Sequence, residues 1–243
     1  MCRGRRTNQH GVYLRVPAET RTANYERSDG DPRVGHEIVL ETDAYGRVVR
    51  SAMVAYPRRT EQQELHIVVT ERTLFHVDRD QMHLNVVFEG RSWELTRHDL
   101  VRADTAPFTV LEMRQDLWDQ AQPRDFESPP KTTPESGGGF RVEKRRFAET
   151  RVLYFADDHV SAYDGSTAFP AKRIVYETYQ LAFPDSFLTN GPLAGRTTAT
   201  DLGDAGYVQL TGPDWWRPSG RPTLDASATS FFQPRAITDP FGA

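Results

Sequence analysis

His36-Glu37-Ile38-Val39-Leu40-Glu41-Thr42-Asp43-Ala44-Tyr45-Gly46-Arg47-Val48-Val49-Arg50-Ser51-Ala52-Met53-Val54-Ala55-Tyr56 is the stretch on which the fold turns. Ile38 and Leu40 fall on one face of a strand. Val48, Arg50, Ala52, Val54 and Tyr56 alternate with Val49, Ser51, Met53 and Ala55. Alternation of period two on both sides of a short polar loop predicts a β-hairpin, with Gly46 supplying the positive φ that the loop needs.

The same pattern extends outward. Val12, Leu14 and Val16 alternate with Tyr13, Arg15 and Pro17, and Thr22, Asn24 and Glu26 alternate with Tyr25 before the turn cluster Ser28-Asp29-Gly30-Asp31-Pro32. Beyond the hairpin, Pro57-Arg58-Arg59 ends the strand and Leu65 to Phe75 reads as the next. Gln81 to Glu94 reads as a pair broken at Gly90. The even spacing predicts an antiparallel meander. One helix is expected, capped by Thr105, with Pro107 in its first turn and Phe108, Leu111, Gln115 and Trp118 on one face, ending near Gln122-Pro123. Residues 123–140 hold Pro123, Pro129, Pro130, Pro134 and Gly137-Gly138-Gly139 and read as a flexible linker. After it come strands at Phe140 to Phe147 and Val152 to Phe155. Ile174 to Phe183 fits either strand or helix, and Pro184 to Leu188 fits one helical turn. The organisation expected is a flexible start (1–10), a β part (11–122), the linker (123–140) and a second β part (141–243).

Composition bounds the function. The 243 residues carry a net charge of −4, from 30 basic and 34 acidic side chains mixed along the chain, with no basic stripe for nucleic acid. Apolar residues make up 37% and aromatics 11%, which describes a folded chain with a thin core. One cysteine, Cys2, permits no internal disulfide. No apolar run is long enough to span a bilayer, and the first residues lack a signal-peptide core, so synthesis in the cytosol without direct membrane insertion is expected.

The candidates for chemistry are few. His66, His76 and His83 lie on successive predicted strands, but their spacing matches no metal motif. Asp157-Asp158-His159 holds acid–base groups in what also reads as a turn. Glu41, Asp43 and Glu64 with Arg58-Arg59 read as exposed charges around the hairpin. No phosphate-binding glycine loop and no nucleophile elbow occur, and neither cofactor nor metal is expected. Trp215, Trp216, Arg217 and Arg221 could stack a sugar or a base; the competing reading is that the two indoles, pointing to opposite faces of a strand, pin two layers. The final run, Gly206-Tyr207-Val208 through Phe231-Phe232 to Asp239-Pro240-Phe241-Gly242, closes on a turn signal, as if a further strand should follow.

These segments carry a resemblance. Asp31-Pro32-Arg33-Val34-Gly35-His36, Glu41-x-Asp43-x-Tyr45-Gly46-Arg47-Val48, Ala55-Tyr56-Pro57-Arg58-Arg59 and Glu61-Gln62-Gln63-x-Leu65 resemble the middle region of the B component of insecticidal (Tc) toxin complexes. So, in the same order, do Tyr176-Glu177-Thr178-Tyr179-x-Leu181-Ala182-Phe183, Trp215-Trp216-x-Pro218-Ser219-Gly220-Arg221, Phe231-Phe232-x-Pro234-Arg235 and Asp239-Pro240-Phe241-Gly242. Asp43-Ala44-Tyr45-Gly46-Arg47 is also similar to the core of an RHS (tyrosine–aspartate) repeat.

The resemblance implies a mainly β fold, a curved antiparallel meander strip of an RHS-type shell with one or two short helices. It implies a structural wall segment, not an enzyme, that encloses a toxic cargo together with a C component and the rest of the B component, and indirectly meets a pore-forming A component. It implies an extracellular role once exported. The chain lacks the propeller and the repeat tail of that family, so it reads as a fragment, or as a split or truncated B component. On this reading the positions that matter are packing positions: Tyr45, Gly46, Tyr176, Tyr179, Trp215, Trp216, Arg221, Phe231 and Phe232. The alternative is a carbohydrate-binding β module using Trp215, Trp216 and Arg221; a hydrolase using Asp157, Asp158 and His159 is the remaining rival.

Overall fold

The structure is a computed structural model, and it describes residues 2–3, 12–13, 15–25, 30–58, 64–79, 82–96, 106–125, 142–165, 169–170, 172–225, 229 and 231–241. The chain is mainly antiparallel β. Its strands are β1 (Cys2–Arg3), β2 (Val12–Tyr13), β3 (Glu19–Asn24), β4 (Arg33–Thr42), β5 (Val48–Ala55), β6 (His66–Arg79), β7 (Met82–Thr96), β8 (Gln122–Arg124), β9 (Glu143–Tyr154), β10 (Val175–Phe183), β11 (Trp215–Pro218), β12 (Arg221–Leu224) and β13 (Pro234–Thr238). The main sheet has nine strands in the order β11-β10-β9-β7-β6-β5-β4-β3, with β8 parallel to β9. β1 pairs with β2, and β12 with β13, in small separate sheets. The helical elements are a π-helical segment (Glu112–Trp118), α1 (Asp185–Thr189) and α2 (Ala199–Asp204).

The chain divides into two compact units, each discontinuous in sequence. One comprises Met1–Arg72, Ser92–Arg124 and Pro129–Arg146, the other Thr73–Arg91, Asp125–Ser128 and Phe147–Ala243. Most of the 123–140 stretch lies outside the described residues.

In the first unit the hairpin of β4 and β5 forms as the alternation requires, with Ile38 opposite Ala52 and His36 opposite Val54. Ile38, Leu40, Ala52 and Val54 are buried, whereas Met53, on the other face of β5, is 51% exposed. The loop is built on Asp43, whose carboxylate accepts from the backbone N–H of Tyr45 (2.7 Å) and Arg47 (2.9 Å). Gly46 sits at φ 80°, where any side chain is strained. Gly46→Ala is expected to cost about 1 kcal/mol in urea unfolding, and Gly46→Asn less, because asparagine tolerates this region.

The apolar face of the meander is covered by the helical run after Pro107. Phe108, Met113, Leu117, Trp118 and Ala121 join Ile67, Val69 and Leu95 in one core. Here the helix departs from the sequence reading in two respects. Its start is held by Thr109, whose hydroxyl accepts from Glu112 N–H (3.2 Å) while the Glu112 carboxylate accepts from Thr109 N–H (2.8 Å); Thr105 lies outside the described residues. Its bonds reach i→i+5, as from Asp119 N–H to the Arg114 carbonyl (2.9 Å). The wider turn carries Met113 and Leu117 inward, leaving Gln115 exposed and Leu111 61% exposed.

In the second unit Val86, Tyr154 and Phe169 form a core with Val152 and Tyr163 against it. The expected break at Gly90 is absent, and β7 runs straight through it. Gly90 instead marks a close approach: a Cβ there would lie 3.1 Å from Thr150 Oγ1. β9 is likewise one strand where two were expected. The stretch that fitted either strand or helix is strand over Val175–Phe183: Tyr179 of β10 stands opposite Arg151 of β9 on one side and Pro218 of β11 on the other. α1 forms where one helical turn was expected. α2 is fixed by a Thr198–Asp201 capping box.

Candidate functional site

The residues singled out in the sequence occupy separate structural positions. Tyr45 and Gly46 form the β4–β5 loop, where the Arg47 guanidinium lies 5.8 Å from the Tyr45 ring centre. Tyr176 and Tyr179 are buried on β10. The Tyr179 hydroxyl donates to Glu177 Oε2 (2.5 Å); burial first, then that bond and the Glu177 charge, push its pKa well above the usual tyrosine value. The Arg221 guanidinium donates to the Tyr176 hydroxyl, tying β12 to β10.

Trp215 and Trp216 are 7% and 0% exposed. Trp216 exchanges both backbone hydrogen bonds with Val208 (2.8 and 2.9 Å), and the Arg151 guanidinium lies 4.4 Å from its ring centre. Stacking a sugar needs an open ring face, so this burial works against a carbohydrate site at the pair. Phe231 is 84% exposed, while Phe232 is half-buried under the His159 imidazole at 4.5 Å.

Among the described residues, three polar assemblies tie neighbouring segments together. In the second unit, Arg151 Nε lies 3.2 Å from both Glu89 and Glu149, and Arg151 Nη2 is 3.0 Å from Glu149. Arg91 adds a bond to Glu89 at 2.9 Å. The Glu149 side chain is fully buried. Burial pushes the Glu89 pKa up, but a hydrogen bond with Glu149 and the Arg91 and Arg151 charges outweigh it and hold the carboxyl below its usual range.

In the first unit, Arg50 pairs with Glu41 (2.7 Å) and Glu71 (2.9 Å), and Glu71 accepts from Trp93 Nε1 (2.8 Å). Lys144 Nζ lies 4.1 Å from the Trp118 ring centre, beside the edge-on pair Trp93–Trp118. Burial lowers the Lys144 pKa, with Arg50 adding to the effect and Glu71 and Asp119 opposing it. The third assembly centres on His36, fully buried, with Nδ1 3.0 Å from the Tyr56 hydroxyl, which also accepts from Phe108 N–H (2.9 Å). Burial and then Arg21 lower its pKa against the opposing pull of Glu19.

The sequence reading passed over the Glu89–Arg91 and Glu149–Arg151 pairs. Their signal was spacing: acid and base two residues apart point to the same face of a strand.

Of the acid–base candidates, Asp158 is held in a turn of its own. Asp158 accepts from Val160 N–H, Ser161 N–H and Ser161 Oγ, and these bonds, that from the Ser161 hydroxyl first, hold its pKa below the usual carboxylate value. His66 is exposed; the side chains of His76 and His83 lie outside the described residues, as does Arg59. No group of three metal-binding side chains occurs among the described residues. Glu64 is exposed as expected. Arg58 corrects the reading of free hairpin charges: it is 9% exposed and its Nη2 donates to the Asp31 carbonyl at 3.1 Å.

Comparison with known proteins adds two findings. Residues 2–103 match the family model described as insecticide toxin TcdB middle/C-terminal region. A chain of the Photorhabdus luminescens Tc holotoxin pore is similar in fold, with a TM-score of 0.59 and 17% identity over 90% of this chain. The match covers only 11% of that larger chain. No curated protein sequence matches.

Proposed function

We propose that the chain is a segment of the toxin-encapsulating β-shell of a Tc-type insecticidal toxin complex, drawn from its B component, and that it performs no catalysis itself. The observation that carries this reading is the match of residues 2–103 to a toxin-complex region, which spans the strands β1 to β7. The nine-strand meander supports it: arginine–carboxylate ties and buried indoles hold strands to one another, the work required of a wall. Its partners on this reading are the remaining B-component segments and the C component, with the pore-forming A component reached through them, in an extracellular complex. Neither nucleic acid nor the bilayer is a partner on this reading; no helix among the described residues is long and apolar enough to cross a membrane.

The test is co-expression of the chain with a C component and the rest of a B component, followed by size-exclusion chromatography and electron microscopy. The chain is expected to co-elute in a hollow particle. Elution of all the soluble partners apart from one another would overturn the reading.

A further inference from the structure

Four residues other than glycine adopt positive φ among the described residues: His159 (58°), Arg173 (51°), Phe231 (52°) and Phe232 (56°). Left-handed backbone is uncommon for any side chain and a true outlier for a bulky one. The four come from three separate segments of the second unit, yet contacts join those segments. The His159 imidazole stacks on the Phe232 ring at 4.5 Å and 24°, and Lys172 Nζ, from the residue before Arg173, lies 3.5 Å from the centre of the same ring. Backbone strain of this kind persists where surrounding structure imposes it, and it gathers at ligand clamps.

The cluster also leaves hydrogen-bonding capacity unused. His159 Nε2 and Arg173 Nε are buried atoms without a hydrogen-bond partner, and such groups call for an explanation. The adjacent carboxylate, Asp158, spends its oxygens on hydrogen bonds within its own turn, though its charge acts on His159. Phe231, next in sequence to Phe232, is 84% exposed and offers an apolar surface.

We propose that His159, Lys172 and Arg173, set around the Phe231–Phe232 turn, form a clamp for a small oxyanion, a carboxylate or phosphate borne on an apolar group. The three side chains supply donors, and Lys172 and Arg173 positive charge; Phe231, 84% exposed, supplies the surface for the apolar part, with Phe232 beneath His159 and Lys172. The proposal is independent of the shell reading, because it concerns only groups within one unit.

The experiment is an NMR titration of the full chain, following the imidazole signals of His159, assigned with His159→Asn, and the side-chain amine of Lys172. The probes are inorganic phosphate, acetate, phenyl phosphate and benzoate, with chloride as the ionic-strength control. A saturable shift at both groups is expected for at least one aryl anion, with weaker binding of its non-aryl counterpart; the tighter of phenyl phosphate and benzoate identifies the headgroup. Arg173→Gly is expected to weaken that binding at least fivefold while raising Tm, since glycine takes the left-handed conformation without strain. Lys172→Met, at an exposed position, is expected to weaken binding with Tm unchanged, and it decides the matter if Arg173→Gly fails to fold. Absence of a saturable His159 shift with every probe overturns the proposal, as does unchanged affinity in both variants.

Discussion

Trp216→Ala is expected to be the most damaging single substitution in the second unit. The indole is fully buried, and truncating a buried tryptophan costs about 3–5 kcal/mol through lost transfer free energy and the cavity left behind. For a chain of this size that corresponds to a fall in Tm of roughly 10 °C. Part of the loss is the support that the ring gives to the Arg151 guanidinium 4.4 Å away. Trp216→Phe is expected to cost much less, because it retains an aromatic face and sacrifices no hydrogen bond: Trp216 Nε1 is buried without a partner. Phe231→Ala, at a side chain 84% exposed, is expected to stay within about 0.5 kcal/mol of the parent. Urea unfolding of the three variants checks the set. A cost for Trp216→Ala no greater than that for Phe231→Ala would show that this indole is not a packing anchor.

The contrast between these two aromatic pairs marks how far the sequence was legible. Both Trp215-Trp216 and Phe231-Phe232 are expected as packing anchors on the reading that the resemblance implies. Only the fold shows that the first is enclosed, by Val208 on its strand edge and Arg151 on its ring, while the second sits on left-handed backbone with one ring in solvent. The β4–β5 hairpin was fully legible because its signal is local: period-two burial on both arms and one glycine in the loop. β7 and β9 were read as broken because glycine and dense charge ordinarily mark turns. Here Gly90 makes room for Thr150, and Glu149 and Arg151 meet Arg91 and Glu89 on the neighbouring strand. Cross-strand partners lie far away in sequence, so no local pattern announces them. The helix face was misplaced for a different reason, since a 3.6-residue period was applied to a segment that winds as a π-helix.

Arg151→Ala is expected to follow Trp216→Ala in severity, and its penalty should depend on pH. Removing the arginine takes from Glu149, whose side chain is fully buried, its contacts at 3.0 and 3.2 Å, and it takes the Arg151 partner from Glu89. Taking one arginine out of a buried ionic network of this kind costs about 3 kcal/mol at neutral pH. The sign of the pH effect comes from Glu89. Its folded pKa lies below the ordinary value of 4.5, so the stability it contributes is fully present above that value and is lost as pH falls through the folded pKa. Arg151→Ala weakens the cause of that depression. The gap in stability between parent and variant is therefore expected to be largest near pH 7 and to narrow below about pH 4.5. Arg151→Met separates charge from packing, because it keeps an apolar stem near Trp216 without the guanidinium. It should recover part of the packing loss while retaining the pH dependence. Urea unfolding of parent, Arg151→Ala and Arg151→Met at pH 7 and pH 3.5 decides the point. A penalty for Arg151→Ala that is equal at the two pH values, and abolished in Arg151→Met, would assign the effect to packing on Trp216 and remove the carboxylate pair from the account.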